Sequence, residues 1–582
     1  MSVGAIIDTV SRVQDLAKLA SSIPSGAHSL EFHYQAGLAL GTTDQYLRDG
    51  GISTRPQPIT GQKLATDLLR QEPDTLESWE QRLINCPDLK RLLDQQIAEA
   101  AKALIPLLKD GIDLGEEGIS ASLAALVAAM SVYETPLLEA PYHYQYRSDF
   151  AEPDWRRIPG YKDVSAEDWR SDRWQVKNGL NSLKRLKEAL GPFLTDAMAA
   201  DIGRDMRERA TMGLLIPPHM LNLMNIQDLR NDPVRRYMMA MFSDRDPRWP
   251  SHPMASRDSL HESDMTVVPG LTHRYPTKVL AELTTGCPQY CQYCTRTDSV
   301  GPSTQLIEKA KLPGTFEQRA EAILGYLRTH SEVRDVVVSG GDVAAVKIHH
   351  LEAFVSALLD IEHIKDIRLA SKGLMGRPQY FLQDEILWAL ERLAKKANER
   401  GVGLHFHTHI SHANEVTPLL AEVVVKLRDM GFRDVRNQGV LARGVNATTK
   451  DLLDLCFKLT NMARITPYYF YMCDMIPNSE HWRISLAHAQ MLQSSMMGFP
   501  SGFHTPRILC DVPFVGKRWT HQESFYDRTL GVSSWVKAYD TALDRAHPDL
   551  RRDFYHYYDP IDTLPDAGQE FWAEHYPSAS AG

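Results

Sequence analysis

From about Lys278 to Cys510 the chain alternates short β-rich runs with amphipathic helical stretches, and this rhythm limits the fold more than any other feature. The runs Val279–Leu283, Asp335–Val338, Asp366–Ala370, Gly403–His407, Asp434–Gln438, Ile465–Met472 and Arg507–Cys510 read as strands. Between them, Thr315–His330, Gln383–Arg400 and Glu415–Met430 carry apolar residues at helical spacing. Successive strands of this kind pair in parallel through crossover helices that pack on the sheet. Six or seven such units predict an α/β barrel, complete or partial, with its chemistry on the loops at the carboxyl ends of the strands.

The rest of the chain is read around that segment. Residues 1–135 form an expected helical extension, with Ile6, Ile7, Val10, Val13, Leu16 and Leu19 on one helical period and further repeats near Leu76–Leu108 and Ile119–Val132. A Pro- and aromatic-rich connector spans 136–167, a second helical region 168–277, the barrel 278–520 and a C-terminal segment 521–582. A net charge of -10 gives no nucleic-acid surface. No apolar run approaches the ~20 residues of a membrane helix, and the N-terminus lacks a signal-peptide pattern, so a cytoplasmic protein is expected. Seven cysteines in 582 residues are too sparse for a disulfide framework. Cys86 and Cys456 lie in helical patterns and read as core thiols.

Three of the seven are clustered. Cys287, Cys291 and Cys294 follow the first strand in the run Thr-Thr-Gly-Cys-Pro-Gln-Tyr-Cys-Gln-Tyr-Cys-Thr-Arg. Three thiolates on one short loop can ligate three irons of a [4Fe–4S] cube and leave the fourth open. S-adenosylmethionine chelates such an open iron in radical SAM enzymes. The competing reading is zinc, which takes four ligands, often as two separated pairs. No fourth cysteine is near, although a histidine can serve.

Other candidates follow the strands. Ser339-Gly340-Gly341-Asp342 leaves the second strand, where glycines let a ligand approach the backbone and where radical SAM barrels hold the amino group of S-adenosylmethionine; a plain turn is the alternative. Lys517, expected in a loop just past the last strand, can form a Schiff base with pyridoxal phosphate, or is simply solvated. Asp474 and Asp511 each follow a cysteine at a strand end. Alternation then sends Cys473 and Cys510 away from the mouth, and the two carboxylates suit a cationic ligand. His405, His407 and His409 share one strand face, as pocket-lining hydrogen-bonders or, less simply, as a second metal site.

Taken in order, these residues resemble the lysine 2,3-aminomutase family. The matches are Gly270-Leu-Thr-His-Arg274-Tyr275-Pro-Thr-Lys278, the cysteine loop through Arg296, Ser339–Asp342, His409-Ile-Ser-His-Ala-Asn-Glu415, Asn437-Gln438, Tyr468-Tyr-Phe-Tyr-Met-Cys-Asp474 and Asp511-x-Pro-x-x-Gly-Lys517. The resemblance runs from about Asp168 to Lys517, and weakly to about Tyr539, and implies a partial (β/α)6-type radical SAM barrel. It implies that Cys287, Cys291 and Cys294 bind the [4Fe–4S] cluster and that Ser339, Gly340, Gly341 and Asp342 contact S-adenosylmethionine. It implies that Lys517 holds pyridoxal 5'-phosphate and that Arg274, Tyr275 and Gln438 contact that cofactor. Arg296 would pair with the substrate carboxylate, and Asp474 and Asp511 with the side-chain ammonium of lysine. An amino acid substrate, an electron donor such as flavodoxin or ferredoxin, and a homo-oligomer are the implied partners.

The sequence departs from the family in three places. The glycine-rich run before Lys517 is one residue shorter, Ser371-Lys372-Gly373 replaces Ser-Arg-Thr, and no cysteine follows Cys510, so no structural zinc is expected. Rival readings are a 2,3-aminomutase for arginine or ornithine, an enzyme modifying a lysine on a protein partner, and a non-catalytic iron–sulfur protein.

Overall fold

The computed structural model describes residues 143–541, 544–545, 548 and 551–576. The helices expected over 1–135 and the core reading of Cys86 lie outside the described residues. By internal contacts the chain divides into two units. Among the described residues, one holds 143–521, 540–541, 544–545, 548 and 558–576; the other holds 522–539 and 551–557. In the second unit, β11 (Phe525–Asp527), β12 (Val532–Trp535) and β13 (Tyr555–Tyr558) form a three-stranded sheet. Its buried Trp535 donates its indole N–H to Ser533 Oγ at 2.9 Å.

The first unit is built on one ten-stranded sheet whose spatial order is the sequence order. Its strands are β1 (Thr266–Val268), β2 (Leu271–Tyr275), β3 (Lys278–Thr284), β4 (Asp335–Gly340), β5 (Asp366–Ala370), β6 (Gly403–Thr408), β7 (Asp434–Leu441), β8 (Thr466–Met472), β9 (Arg507–Val512) and β10 (Gly516–Trp519). β3 through β9 pair in parallel, while β1, β2 and β10 are added antiparallel at the two ends. The crossovers carry α1 (Phe316–Thr329), α2 (Ile348–Leu359), α3 (Asp384–Arg400), α4 (Pro418–Asp429), α5 (Thr449–Asn461) and α6 (Leu486–Met496).

Local chemistry sets these boundaries. Thr315 and Gln318 close a capping box on α1, and Thr417, Thr448 and Ser485 cap the first turns of α4, α5 and α6. Gly401 ends α3 in the left-handed region at φ 65. An unreversed strand order puts all crossover helices on one face of the sheet. β3 shows the consequence: Val279, Ala281 and Leu283 are buried on one face, while Lys278, Leu280, Glu282 and Thr284 are half-buried on the other. Buried Val336, Val338, Ile367 and Leu369 continue the apolar face, each worth ~1.5–3 kcal/mol of burial.

The sheet curls on itself, and its polar face becomes the inside. The Lys517 N–H on β10 donates to Tyr275 Oη at the end of β2 at 3.1 Å, and Arg274 Nη2 donates to the Val512 carbonyl at 3.0 Å. The lysine and its partners therefore meet across more than two hundred residues of chain.

All seven expected strands are present. Two expectations are corrected. Thr266–Val268 and Leu271–Tyr275, placed in the helical region 168–277, are strands, because Gly270 (φ +82) turns the chain back and β2 gains a ladder from β3. Lys517 is not on a loop: β10 folds back on β9 with Lys517 opposite Asp511, which fixes the lysine against that carboxylate.

Candidate active site

The cysteine loop leaves β3 and is fastened on both sides. Tyr290 and Gln292 donate their N–H groups to the carbonyls of Leu215 (3.0 Å) and Tyr237 (2.8 Å) in the preceding helical region. Tyr293, just before Cys294, is buried and shares hydrogen bonds with Ser411 Oγ at 2.8 Å and His409 Nε2 at 3.1 Å beyond β6. The half-buried thiols of Cys287, Cys291 and Cys294 are all pushed up by burial, Cys291 to about 12 although nearby Lys372 opposes the shift. Cys287 and Cys291 also feel the charge of the other thiols, so the trio shares one neighbourhood. Among the described residues no three His, Cys, Asp or Glu side chains are disposed around one ion. That is no obstacle to a cube, whose three thiolates each reach a different iron. The donor set fits such a cluster, and binding it would have to displace the thiol protons.

The Ser339–Asp342 turn lies directly under this loop. A Cβ on Gly340 (φ +117) would stand 2.2 Å from Thr284 O, and one on Gly341 would stand 2.0 Å from Gly286 O. The glycines are thus demanded by the close passage of the cysteine loop. Asp342 is buried and its carboxylate is spent within the protein, accepting from Ala344 N–H (2.8 Å), Ser371 Oγ–H (2.6 Å) and Gly373 N–H (3.0 Å).

Around Lys517 the charges are dense. Its Nζ is 2.7 Å from Asp511 Oδ2, and Arg274 Nη1 is 2.8 Å from Asp511 Oδ1. Burial pulls the Lys517 ammonium down, but Asp511, Tyr275 and Tyr471 outweigh it and hold the group well above its usual value. Asp511 is lowered: burial opposes its charge, and Arg274 and Lys517 overcome burial. Asp474, two residues past the end of β8, has the opposite fate. Burial first and Asp511 second push its carboxyl up to about 8. Cys473 and Cys510 are buried next to these aspartates, as strand alternation requires.

Below Lys517 sits a cationic field. Lys278 Nζ lies 4.5 Å from the Tyr275 ring, and its pKa is lowered by burial and then by Arg368, with Lys517 and Arg518 adding to the effect and Asp335, which pairs with Arg368 at 2.9 Å, opposing it. Such a field fits an anionic group, and with an adjacent lysine amine and the Tyr275 ring it fits pyridoxal phosphate. Gln438 lies deeper on β7, where its Oε1 accepts from Tyr471 Oη–H at 3.2 Å and lies 3.3 Å from His407 Nδ1.

The three alternating histidines have separate partners. His405 pairs with Asp366 at 3.1 Å, His407 meets Gln438, and His409 meets Tyr293. Burial holds His407 neutral, with its pKa down to about 3.

Arg296, expected to await a carboxylate, is held by two from the protein. Glu282 on the inner face of β3 pairs with its Nη1, and Glu262 Oε2 lies 3.3 Å from its Nη2. Neither glutamate was singled out in the sequence, nor were the roles of Lys278, Arg368 and Arg518. Glu282 was accessible to sequence reasoning, since period-two alternation from Val279 points it inward with Lys278 and Leu280. Glu262 lies in a turn before the Gly270–Lys278 run and carries no such signal.

No family model matches the chain. The chain is similar to the L-lysine 2,3-aminomutase of Clostridium subterminale, 31% identical over 361 residues that cover 62% of this chain and 80% of the relative. A putative L-lysine 2,3-aminomutase of Aquifex aeolicus is 30% identical over 379 residues, 65% of this chain and 95% of the relative. A glutamate 2,3-aminomutase of Clostridioides difficile is 24% identical over 362 residues, 62% of this chain and 78% of the relative.

Proposed function

The chain belongs to the lysine 2,3-aminomutase family, and on that premise we propose that it is an isomerase that moves the α-amino group of a cationic amino acid, lysine first, to C3 and so makes a β-amino acid. The observation that carries the substrate class is Asp474. A carboxyl raised to about 8 beside a second carboxylate is a site that gains most from an incoming ammonium. A glutamate side chain would meet repulsion from Asp511 there.

The curled sheet and the cysteine loop at the exit of its first parallel strand support a partial (β/α)6 radical SAM barrel. In this reading Cys287, Cys291 and Cys294 hold a [4Fe–4S] cluster, and the backbone of Ser339, Gly340 and Gly341 lines the S-adenosylmethionine seat. Lys517 carries pyridoxal phosphate, with Arg274, Tyr275, Gln438 and Lys278 around it. When bound, the cluster and S-adenosylmethionine supply radical initiation and pyridoxal phosphate supplies the carrier for the migrating nitrogen.

The chain's own residues do the rest. Tyr275 fixes the Lys517 backbone, and Asp511 holds the Lys517 ammonium in place and stabilises its charge. Asp474 and Asp511 bind and orient the substrate's distal ammonium, which fixes the distance between that charge and the reacting carbons. In this reading Arg296 pairs with the substrate carboxyl. Holoenzyme assayed without oxygen against lysine, arginine, ornithine and glutamate, with products resolved by mass spectrometry, tests the reading. A β-amino acid from a cationic substrate is the expected product; turnover of glutamate alone would refute it.

A further inference from the structure

Lys372 stands two residues past β5, and only 8% of it is exposed. Its Nζ donates to the His409 carbonyl at 2.7 Å and lies 4.7 Å from the centre of the Tyr237 ring. It pairs with no carboxylate among the described residues. Glu415, buried on the same tyrosine, spends its oxygens on Tyr237 Oη–H and Ser411 N–H. A buried ammonium with one carbonyl and one ring for partners is costly to keep out of water unless an anion comes to it.

What packs against this lysine is the cysteine loop. Gln289 Nε2 donates to the Lys372 carbonyl at 3.4 Å, and a Cβ on Gly373 would stand 3.1 Å from Pro288 Cγ. On the other side of Cys291, Gln292 N–H donates to the Tyr237 carbonyl, and the Tyr293 ring lies 5.3 Å from the Tyr237 ring that Lys372 covers. Lys372 is also the strongest charge that Cys291 feels, ahead of Glu415 and Asp342. Cys294 feels the half-buried Lys309, and Cys287 feels Asp342. A cube held by three thiolates is already anionic when oxidised, and reduction adds one more negative charge. A buried cation beside one of its ligands is screened little by solvent or salt, so it favours the reduced state. The sign of that effect does not depend on the state of Asp342 or Glu415.

We propose that Lys372 is a positioning residue for the iron–sulfur cluster: its positive charge beside Cys291 stabilises the reduced cube and raises the potential at which the cube accepts its electron. This rests on the cluster reading above. The electron comes from the external reductant, and no bond forms or breaks in the step.

The test is a potentiometric titration followed by EPR on the reconstituted full chain, without S-adenosylmethionine, in the parent protein, Lys372→Met and Lys372→Arg, with iron content measured on each. Lys372→Met, similar in length and uncharged, is expected to make cluster reduction about tenfold less favourable or more, a shift of about 59 mV to more negative potential. Lys372→Arg keeps the charge and is expected to stay close to the parent. A potential unchanged in Lys372→Met, or lowered equally in both variants, overturns the proposal and leaves the cluster reading intact. Loss of the cluster from Lys372→Met alone also overturns it, because Lys372 would then serve cluster assembly and not its potential. A parent that shows no reducible iron–sulfur signal after reconstitution overturns the cluster reading and this one with it.

Discussion

Asp474 offers the sharpest quantitative prediction. Its carboxyl stands at about 8 in the folded protein against an ordinary 3.8, because it is buried and Asp511 is already ionised beside it. Some four pKa units correspond to about 5 kcal/mol between the two protonation states. That figure is a ceiling, since Asp474 keeps partial contact with solvent. An ammonium ligand stabilises only the ionised form, so binding must expel the proton wherever Asp474 still holds one. At pH 7 a group titrating near 8 is about nine-tenths protonated, and each lysine bound should release about 0.9 proton. The sign follows directly: affinity is fully present above pH 8 and falls about tenfold per unit below it. Calorimetry in two buffers of different ionisation enthalpy measures the released proton. Asp474→Asn is the control, because it keeps the substrate's own amines and removes only the carboxyl. The variant is expected to bind lysine more weakly and to lose the slope between pH 6 and pH 8. If the parent binds lysine with no proton release at pH 7, or if Asp474→Asn retains the slope, the assignment of the ammonium to Asp474 is wrong.

Three further outcomes follow from the geometry. Gly341→Ala forces a Cβ to within 2.0 Å of Gly286 O, so it should shift the cysteine loop, cost about 1–3 kcal/mol in denaturant unfolding and lower iron incorporation with every thiol still present. Lys517→Ala should lose the visible absorption of bound pyridoxal phosphate, and retention of that absorption through gel filtration would contradict the assignment. Because burial raises all three cluster thiols, with Cys291 near 12, iron–sulfur reconstitution should speed up as pH rises from 7 to 9, followed by absorbance and iron content. A flat profile would show that thiol deprotonation does not limit assembly.

Much of this architecture could be read in the chain. Seven strands were marked by runs such as Asp366–Ala370, where Ile367 and Leu369 alternate with polar residues, and the caps at Thr315 and Thr417 sit where the helices start. What escaped depends on partners remote in sequence. β2 reads as a strand only once β3 is available to pair with it, and β10 only once β9 is. Lys517 reads as a loop residue because Gly516 precedes it, yet the chain turns at 513–515, with Phe514 at φ 62, and Gly516 already opens β10 opposite Val512. The glycines of the Ser339–Asp342 turn were legible as a close approach, but what approaches is the cysteine loop itself. The charge on Arg296 was legible as well. Of its two glutamates, Glu282 is legible from the alternation of β3, whereas Glu262 lies in a turn and carries no spacing signal.

Lysine labelled with 15N on its α-amino group tests the central claim most directly. Holoenzyme incubated with it without oxygen, after reduction and addition of S-adenosylmethionine, should yield 3,6-diaminohexanoate with the label on C3, read by NMR and mass spectrometry. Label that stays on C2 after S-adenosylmethionine has been cleaved, or that leaves the molecule as ammonia, would contradict it.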